Sequence, residues 1–226
     1  NEIPLPVQYK TNRTETVRPI HLTALKDYLI KYKGAKKVCG SESDDVVNHR
    51  IRTLNKQGVR CVLYSNDKDC MQNVDYNLLN FNPDKADIIV SKKGVGELID
   101  RGKDVKGSGL KWLILQVLLG DKIDGFTPKQ FFNKKYADKS YYKDFNDCKT
   151  EVQVIEKFVE VAKRLVPYKV SYTSFTGQLM ELNRKELFEM YYLLPKMKDG
   201  FCHTLEELFS FYNLDVEMLN YEWRFI

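Results

Sequence analysis

The sequence predicts an α/β fold in which a mostly parallel sheet is flanked by helices and followed by a helical C-terminal subdomain. Strand-like and helical stretches alternate in the first half of the chain, which is typical of parallel sheets. After about residue 124 the pattern is almost wholly helical, and 43% of the 226 residues are apolar, as in ordinary globular proteins. We therefore predict an α/β core over residues 1–124 and a helical subdomain, packed on that core, over residues 125–226.

The first predicted helix begins near Pro19 and ends at Gly34, with Leu22 and Leu29 at helical spacing between them. Proline is favoured at the start of a helix and glycine just past its end. A short strand-like stretch at residues 37–39 is expected next.

A second helix is predicted after Ser41, because Val47, Ile51 and Leu54 form one helical face that Gly58 closes. Three strand-like runs follow this helix, at residues 59–65, 76–81 and 86–90. We expect the first of them to be a buried strand.

The run from Leu110 to Leu119 is almost wholly apolar and is interrupted only by Lys111 and Gln116. Its length suits a buried helix and falls short of the roughly 18 residues that span a bilayer, so no membrane partner is expected. Further helices are predicted at residues 151–165 and 183–194 and from Thr204, where Thr-Leu-Glu-Glu fits a capping box.

The five cysteines are odd in number and form no C-x-x-C pair. Neither a disulfide framework nor a thiolate zinc site is indicated, and a reducing, cytoplasmic compartment fits best. The net charge of +5 is small, although lysines and arginines cluster in a few segments that would attract a polyanion locally.

Acidic residues cluster in three motifs, each after a strand-like run or at the end of a helix. Ligands of α/β proteins bind beyond the carboxyl ends of the strands, so these side chains are expected in one crevice, where they would bind two Mg²⁺ or Mn²⁺ ions. Taken singly, the same residues fit helix capping, an Asx turn and a solvated helix end. The candidate metal ligands are Glu42, Asp44, Asp45, Asp67, Asp69, Asp121 and Asp124.

Three acidic motifs follow one another in the order S-E-S-D-D, V-L-Y-S-N-D-K-D and L-L-G-D-K-I-D-G. This order resembles the motif pattern of the 5′-to-3′ exonuclease and flap endonuclease family, especially of its phage members with a PIN-like nuclease core. The resemblance covers roughly residues 9–125. It implies that Asp44 and Asp67 hold one ion, with Asp69, Asp121 and Asp124 at the second. Glu42 and Asp45 would contribute directly or through water.

Tyr9-Lys10-Thr11-Asn12-Arg13 resembles a further motif of the same family. The resemblance implies that Lys10 and Arg13 contact the scissile phosphate and act as catalytic groups, and that Tyr9 packs near the terminal nucleotide. A lysine point charge and an arginine fork both suit phosphate oxygens.

The sequence departs from the family pattern at its start. The family has a first strand with a metal-binding aspartate, and a second aspartate upstream of the Tyr9 motif, and neither has a counterpart in residues 1–8. We expect that the chain is the later part of a longer protein, with a second polypeptide as another source of the missing strand. The alternative is that those ligands have been lost.

A second departure follows Asp124, where relatives carry a glycine-rich DNA-binding element. Here Lys129, Lys134 and Lys135, with Lys139 and Lys143, alternate with aromatic residues between positions 131 and 142. They are expected either to follow a nucleic-acid backbone and stack on bases, or to form an amphipathic helix with its aromatic residues in the core.

The expected function is therefore metal-dependent 5′-to-3′ exonuclease or flap endonuclease action on DNA with 5′ ends or flaps, or on RNA in RNA–DNA hybrids. Replication proteins are candidate partners, and a phage origin would place the protein in the cytoplasm of a bacterial host. One alternative is a catalytically reduced protein that binds structured nucleic acid on the same scaffold. A more distant one is a phosphatase or another Mg²⁺-dependent hydrolase with a similar acidic crevice.

Overall fold

The computed structural model describes residues 3–8, 19–121 and 124–221. These residues form a mixed α/β fold with seven α-helices and seven short strands. The helices are α1 (Leu22–Lys33), α2 (Ser43–Lys56), α3 (Gly109–Leu119), α4 (Asp138–Phe145), α5 (Glu151–Leu165), α6 (Arg184–Tyr192) and α7 (Leu205–Phe211). The strands are β1 (Leu63–Tyr64), β2 (Leu78–Asn82), β3 (Asp87–Ser91), β4 (Leu98–Asp100), β5 (Val105–Gly107), β6 (Lys169–Thr173) and β7 (Leu179–Asn183).

The main sheet has three strands in the order β1-β2-β3. Strands β1 and β2 are parallel, and β2 and β3 are antiparallel over five residue pairs. Strands β4 and β5 form an antiparallel hairpin, and β6 and β7 form another. The predicted α/β class is confirmed, but among the described residues the parallel pairing is limited to β1 and β2.

Two strand predictions in the first half of the chain are wrong in extent. Residues 37–39 lie in an irregular segment, and the buried strand expected at residues 59–65 shrinks to Leu63 and Tyr64. The physical reason is that β1 pairs only with β2 among the described residues. Leu63 is therefore buried, whereas Val62 and Tyr64 are exposed.

Helix α3 is the centre of the fold, because every one of its residues is buried. It packs against α4, α5 and α6, and its apolar side chains belong to one continuous core that extends to the C-terminal helices. Two polar residues of α3 are buried as well, Lys111 and Gln116. Lys111 donates from Nζ to the carbonyl of Asn146 at 2.8 Å, which explains how one of them is accommodated.

The later helices begin where the sequence predicted. Capping boxes start α5 at Thr150 and α6 at Asn183. The Thr204 hydroxyl caps α7 by accepting from the backbone N–H of Glu207, but the Glu207 carboxylate bonds to the N–H of His203 instead of completing a box. Helix α1 ends at Gly34, which has the left-handed φ of 72°.

The region after residue 125 also contains the β6–β7 hairpin, which the prediction of an all-helical subdomain missed. Residues 3–8 attach to this hairpin, since the Phe175 N–H donates to the Leu5 carbonyl at 2.9 Å. All five cysteines are free thiols. Within the described ranges, no helix combines the length and the apolar character that crossing a bilayer requires.

Candidate metal centre

Acidic side chains from three separated segments line one cavity of about 240 Å³. We call this cavity the carboxylate pocket. Its remaining wall comes from Ile3, Gln116, Phe126 and residues 193–198. All seven carboxylates that the sequence singled out lie on its wall: Glu42, Asp44, Asp45, Asp67, Asp69, Asp121 and Asp124.

The first turn of α2 supplies Asp44 and Asp45, directly after Glu42 at the N-cap. The buried Asn48 side chain holds this turn in place by donating to the Asp44 carbonyl at 2.9 Å and to the Cys70 sulfur at 3.3 Å. The start of α2 is thereby tied to the turn that carries Asp69.

The second motif forms a turn after β1. The Asp69 N–H donates to Asp67 Oδ1 at 2.9 Å, as in an Asx turn, and the indole N–H of Trp112 donates to the Lys68 carbonyl at 3.0 Å. The Asx-turn alternative is therefore correct for the local geometry of Asp67. The turn is also fastened to α3 through Trp112.

The third motif lies where α3 ends. Asp121 and Phe126 form a two-hydrogen-bond bridge, with N–H to carbonyl distances of 2.9 and 3.1 Å, that closes a short loop containing Asp124. Gly120 enters this loop with φ of 73° and ψ of −175°, a conformation that is essentially restricted to glycine. A Cβ there would lie 2.3 Å from the Phe126 carbonyl oxygen.

Lys68 forms an ion pair with one carboxylate of this cluster. Its Nζ lies 2.6 Å from Asp121 Oδ2. Burial lowers the pKa of Lys68, but the ion pair with Asp121 outweighs burial and the net pKa is raised. Two lysines line the pocket itself. The buried Lys196 ammonium bonds to Asp199 at 2.8 Å, and Lys198 is exposed.

Two carboxyl groups of the pocket have raised pKa values, chiefly because they are buried. Burial, followed by the charge of Asp67, raises the pKa of Asp69 to about 6. Burial also raises the pKa of Asp44, and the neighbouring Glu42 adds to the effect. Shifts of this kind are expected where carboxyl groups are buried next to like charges.

A chain of buried amides positions Asp69. The Gln116 amide donates to Asp69 Oδ1, while Gln116 Oε1 accepts from the Gln72 amide at 2.6 Å. Gln72 also donates to the Pro195 carbonyl and accepts from the Met197 N–H. The segment around Pro195 is therefore linked through two glutamines to a carboxylate of the pocket.

The carboxylates are held by protein donors in this arrangement. Asp45 Oδ1 accepts from the Lys198 N–H at 2.8 Å, and Asp44 Oδ1 accepts from the Asp45 N–H at 3.1 Å. As placed, no three His, Cys, Asp or Glu side chains of the described chain stand close enough to share one ion. The donor set nevertheless fits a hard divalent ion, since it consists of carboxylate oxygens, and the seven carboxylates outnumber the three lysines Lys68, Lys196 and Lys198.

The remaining predicted site residues are not brought to the pocket. Lys129 follows the third acidic motif in the sequence and is half-buried in the 3-10 turn Pro128–Phe131. Lys134 and Lys135 are exposed. None of these three lysines lines the carboxylate pocket. Tyr9, Lys10 and Arg13 lie outside the described residues.

The aromatic residues near these lysines belong to the core. Tyr136 and Tyr141 are buried, and Phe131 packs against Tyr172 and Tyr191. Their rings therefore cannot stack on bases as they are placed, and the amphipathic alternative applies to the aromatic part of this segment. Its exposed lysines remain candidates for contacts with a nucleic-acid backbone.

Sequence reasoning missed residues 193–198 as part of the pocket wall, and Gln72 and Lys68 as partners of pocket residues. Gln116 carried a signal, because an amide in an otherwise apolar helix must find a buried partner. Gln72 and residues 193–198 carried none, since they meet through tertiary packing over more than 100 residues. The contact from Gln72 to Pro195 spans 123 positions.

Comparison with protein-family models, with curated proteins and with solved structures finds no match for this chain. The interpretation of the pocket therefore depends on its own residues.

Proposed function

We propose that this protein is a divalent-metal-dependent nuclease that hydrolyses phosphodiester bonds from 5′ ends or at flaps. The observation that carries the proposal is the convergence of seven carboxylates on one cavity. Its substrates would be DNA with 5′ ends or flaps, or RNA annealed to DNA. The parallel β1–β2 pair, with Asp67 and Asp69 just beyond β1, is compatible with a PIN-like core.

The roles proposed for the pocket residues are those that the resemblance implies. Asp44 and Asp67 would hold one Mg²⁺ or Mn²⁺ ion and Asp69, Asp121 and Asp124 the second, with Glu42 and Asp45 contributing directly or through water. When bound, such ions supply the positive charge that activates the attacking water and stabilises in-line displacement at phosphorus. Lys10 and Arg13 would position the scissile phosphate through charge-assisted hydrogen bonds.

The protein's own contribution is to hold these oxygens in place. Gln116 directs Asp69, the Asp121–Phe126 bridge directs the third motif, and Lys68 neutralises Asp121. Because Lys68 bonds to Asp121 Oδ2, a cation that binds this carboxylate would compete with the Lys68 ammonium.

The test compares Asp67→Asn and Asp121→Asn with the wild-type chain on a labelled 5′-flap duplex in Mg²⁺ or Mn²⁺. Each variant removes a ligand charge while keeping side-chain size. We expect cleavage to fall at least about 10²-fold, because losing several kcal/mol of transition-state stabilisation corresponds to two or more powers of ten. DNA affinity should change little, since no phosphate-binding cation is removed.

Asp147→Asn is the matched control, because Asp147 is exposed and does not line the pocket. It should cleave at the wild-type rate. Undiminished turnover in Asp67→Asn and Asp121→Asn would remove the carboxylate pocket from the reaction.

The second candidate is a nucleic-acid-binding protein on the same scaffold without catalysis. The bonding of Asp121 to Lys68 and of Asp69 to Gln116 favours it, because these contacts occupy oxygens that ions would need. This candidate predicts flap binding that is independent of metal and no cleavage by the wild-type chain. The same assay therefore separates the two.

A further inference from the structure

A second cavity of about 410 Å³ lies beside the carboxylate pocket. It is bounded by the β2–β3 face of the main sheet, the β4–β5 hairpin and the Trp112 ring of α3. Asp67 lines both cavities, so the two spaces meet at that residue. A volume of this size falls within the range of small-molecule sites, about 300–1,000 Å³.

The wall of this second cavity contains a buried polar atom without a partner. Asn80 lies in the middle of β2, in register with Leu63 of β1 and Ile89 of β3, and is only 2% exposed. Its Oδ1 accepts no hydrogen bond from the described chain. Buried carbonyl oxygens of this kind are rarely left unsatisfied, and an N–H donor of a ligand bound in the cavity would satisfy this one.

The mouth of the second cavity is basic. Lys85 at the β2–β3 turn and Arg101 at the β4–β5 turn are exposed, and Lys106 is half-buried with Asp104 at 3.1 Å. Ile89 and Ile99 add apolar surface between these charges and Trp112. A ligand that suits this wall has an anionic group at the mouth and a flat, apolar body with an N–H donor inside.

The geometry points to a binding site for one nucleotide of the strand that enters the carboxylate pocket, an assignment that rests on the proposed nuclease function. The base enters the second cavity and donates an N–H to Asn80 Oδ1, while its phosphate lies against Lys85 and Arg101. Every nucleobase carries an N–H on its pairing edge, so the site accepts any base and does not read sequence. The shared Asp67 places this nucleotide next to the predicted point of cleavage.

The test measures binding of a fluorescently labelled DNA tetranucleotide by anisotropy in EDTA, where no metal-dependent cleavage occurs. Two further probes are the corresponding abasic tetramer and inorganic phosphate. Asn80→Leu removes the acceptor and keeps the volume. We expect it to weaken tetranucleotide binding about tenfold, the effect of one lost hydrogen bond, without changing binding of the abasic tetramer.

The thermal stability of Asn80→Leu distinguishes a ligand-binding role of Asn80 from a structural one. Removing an unsatisfied buried oxygen should leave the melting temperature unchanged or raise it, whereas the loss of a structural hydrogen bond would lower it. Glu189→Gln is the control, because Glu189 Oε2 is the other unpartnered buried atom among the described side chains and lies on α6. It should not alter binding.

The mouth of the cavity is tested separately by Lys85→Ala and Arg101→Ala, with Lys93→Ala as an exposed control outside the cavity. Each of the first two should weaken both tetramers several-fold and reduce the slope of log affinity against log salt by up to about 0.7. Ile99→Glu, at an exposed position, should weaken both tetramers by repelling phosphate.

Equal tetranucleotide binding by wild type and Asn80→Leu, or equal binding of the normal and abasic tetramers by the wild type, would overturn the assignment. Because the measurement uses no metal, it is independent of cleavage. Absence of cleavage with intact, Asn80-dependent binding would reject the nuclease function alone. Intact cleavage without Asn80-dependent binding would reject the nucleotide site alone.

Discussion

The surroundings of Asp69 disfavour its ionised form. Burial and the nearby Asp67 raise the pKa of Asp69 to about 6, so in the folded protein it keeps its proton to a higher pH than in the unfolded chain. The unfolded chain loses that proton first as the pH rises. The resulting destabilisation therefore builds up between about pH 4 and pH 6 and stays constant above that.

We predict that Asp69→Asn stabilises the metal-free protein at pH 7.5 by up to about 3 kcal/mol and has little effect near pH 4. The asparagine keeps an oxygen for the Gln116 amide but carries no charge. Urea unfolding of both proteins in EDTA at the two pH values measures the difference. An equal difference at both pH values would show that the charge of Asp69 is not the cause.

Gln116 is the residue through which the core orients that carboxylate. Its amide lowers the pKa of Asp69, although burial dominates, and it also accepts from Gln72. We predict that Gln116→Leu raises the pKa of Asp69 above 6 and lowers the free energy of unfolding by roughly 2 kcal/mol, because buried polar partners lose their hydrogen bonds.

Carbon-13 NMR of the Asp69 carboxyl group measures the first effect, and urea unfolding measures the second. Gln178→Leu, at an exposed position of the β6–β7 hairpin, is the control and should change neither quantity. A stability loss without a change in the pKa of Asp69 would mean that Gln116 fills space but does not direct the carboxylate.

At the scale of elements, the sequence predicted the helices well and the strands poorly. Helix α5 has the predicted bounds, and α6 and α7 begin at capping residues that the sequence displays. Caps and the helical period are local signals, which a single sequence contains. Strand extent depends on neighbours elsewhere in the chain, so β1 came out shorter than its apolar run suggested.

The β6–β7 hairpin, which the sequence analysis missed, shows the same limit. Its turn at Gly177, with φ of 85°, carried a usable turn signal in Thr-Gly, but only Val170 of its ten strand residues is buried, so the apolar pattern of a strand is weak. In the pocket, the order of acidic motifs predicted which carboxylates line one cavity. Their hydrogen-bond partners depend on packing and were not predictable.

The end of α3 is the element whose geometry the pocket depends on most directly. Gly120 combines a glycine-only conformation with a close approach to the Phe126 carbonyl. We predict that Gly120→Ala lowers the free energy of unfolding by roughly 3 kcal/mol, because backbone strain and overlap both contribute. It should also weaken Mn²⁺ binding, since the Asp121–Asp124 loop must move.

Gly34→Ala is a matched comparison, because Gly34 has a similar φ of 72° but open space where the Cβ would lie. Gly34→Ala should lower the free energy of unfolding by about 1 kcal/mol and leave Mn²⁺ binding unchanged. Urea unfolding and calorimetric Mn²⁺ titration provide both readouts. Equal losses in the two variants would indicate that conformation alone, and not the approach to Phe126, makes glycine necessary at position 120.

At the scale of the whole molecule, the acidic side chains gather at one cavity, while the apolar side chains form one continuous core. Basic residues outnumber acidic ones by 36 to 31, yet seven of the acidic side chains lie at one cavity, so the rest of the surface is more basic than the net charge of +5 suggests. The apolar core runs without interruption from α3 to the last helices. Cations bound at the pocket would therefore act on the stability of the entire fold.

The last prediction follows from this coupling. An ion that binds only the folded protein stabilises it by about 2.7 kcal/mol at a hundred times its dissociation constant. For a chain of 226 residues this corresponds to a rise of about 5 to 10 °C in melting temperature. We expect such a rise for the wild type in Mn²⁺ relative to EDTA at matched ionic strength, measured by calorimetry.

Asp67→Asn and Asp121→Asn should each lose at least half of this rise, because each removes one ligand charge from the pocket, while Asp147→Asn should keep all of it. The comparison also separates two effects of these substitutions. In EDTA, Asp67→Asn should melt higher than the wild type because it lowers the repulsion on Asp69, whereas Asp121→Asn should melt lower because it breaks the ion pair with Lys68. Once Mn²⁺ is present, both variants should melt lower relative to the wild type than they do in EDTA. A rise of the same size in all four proteins would place the ion elsewhere, because the free energy of binding would then be independent of the carboxylates that converge at this cavity.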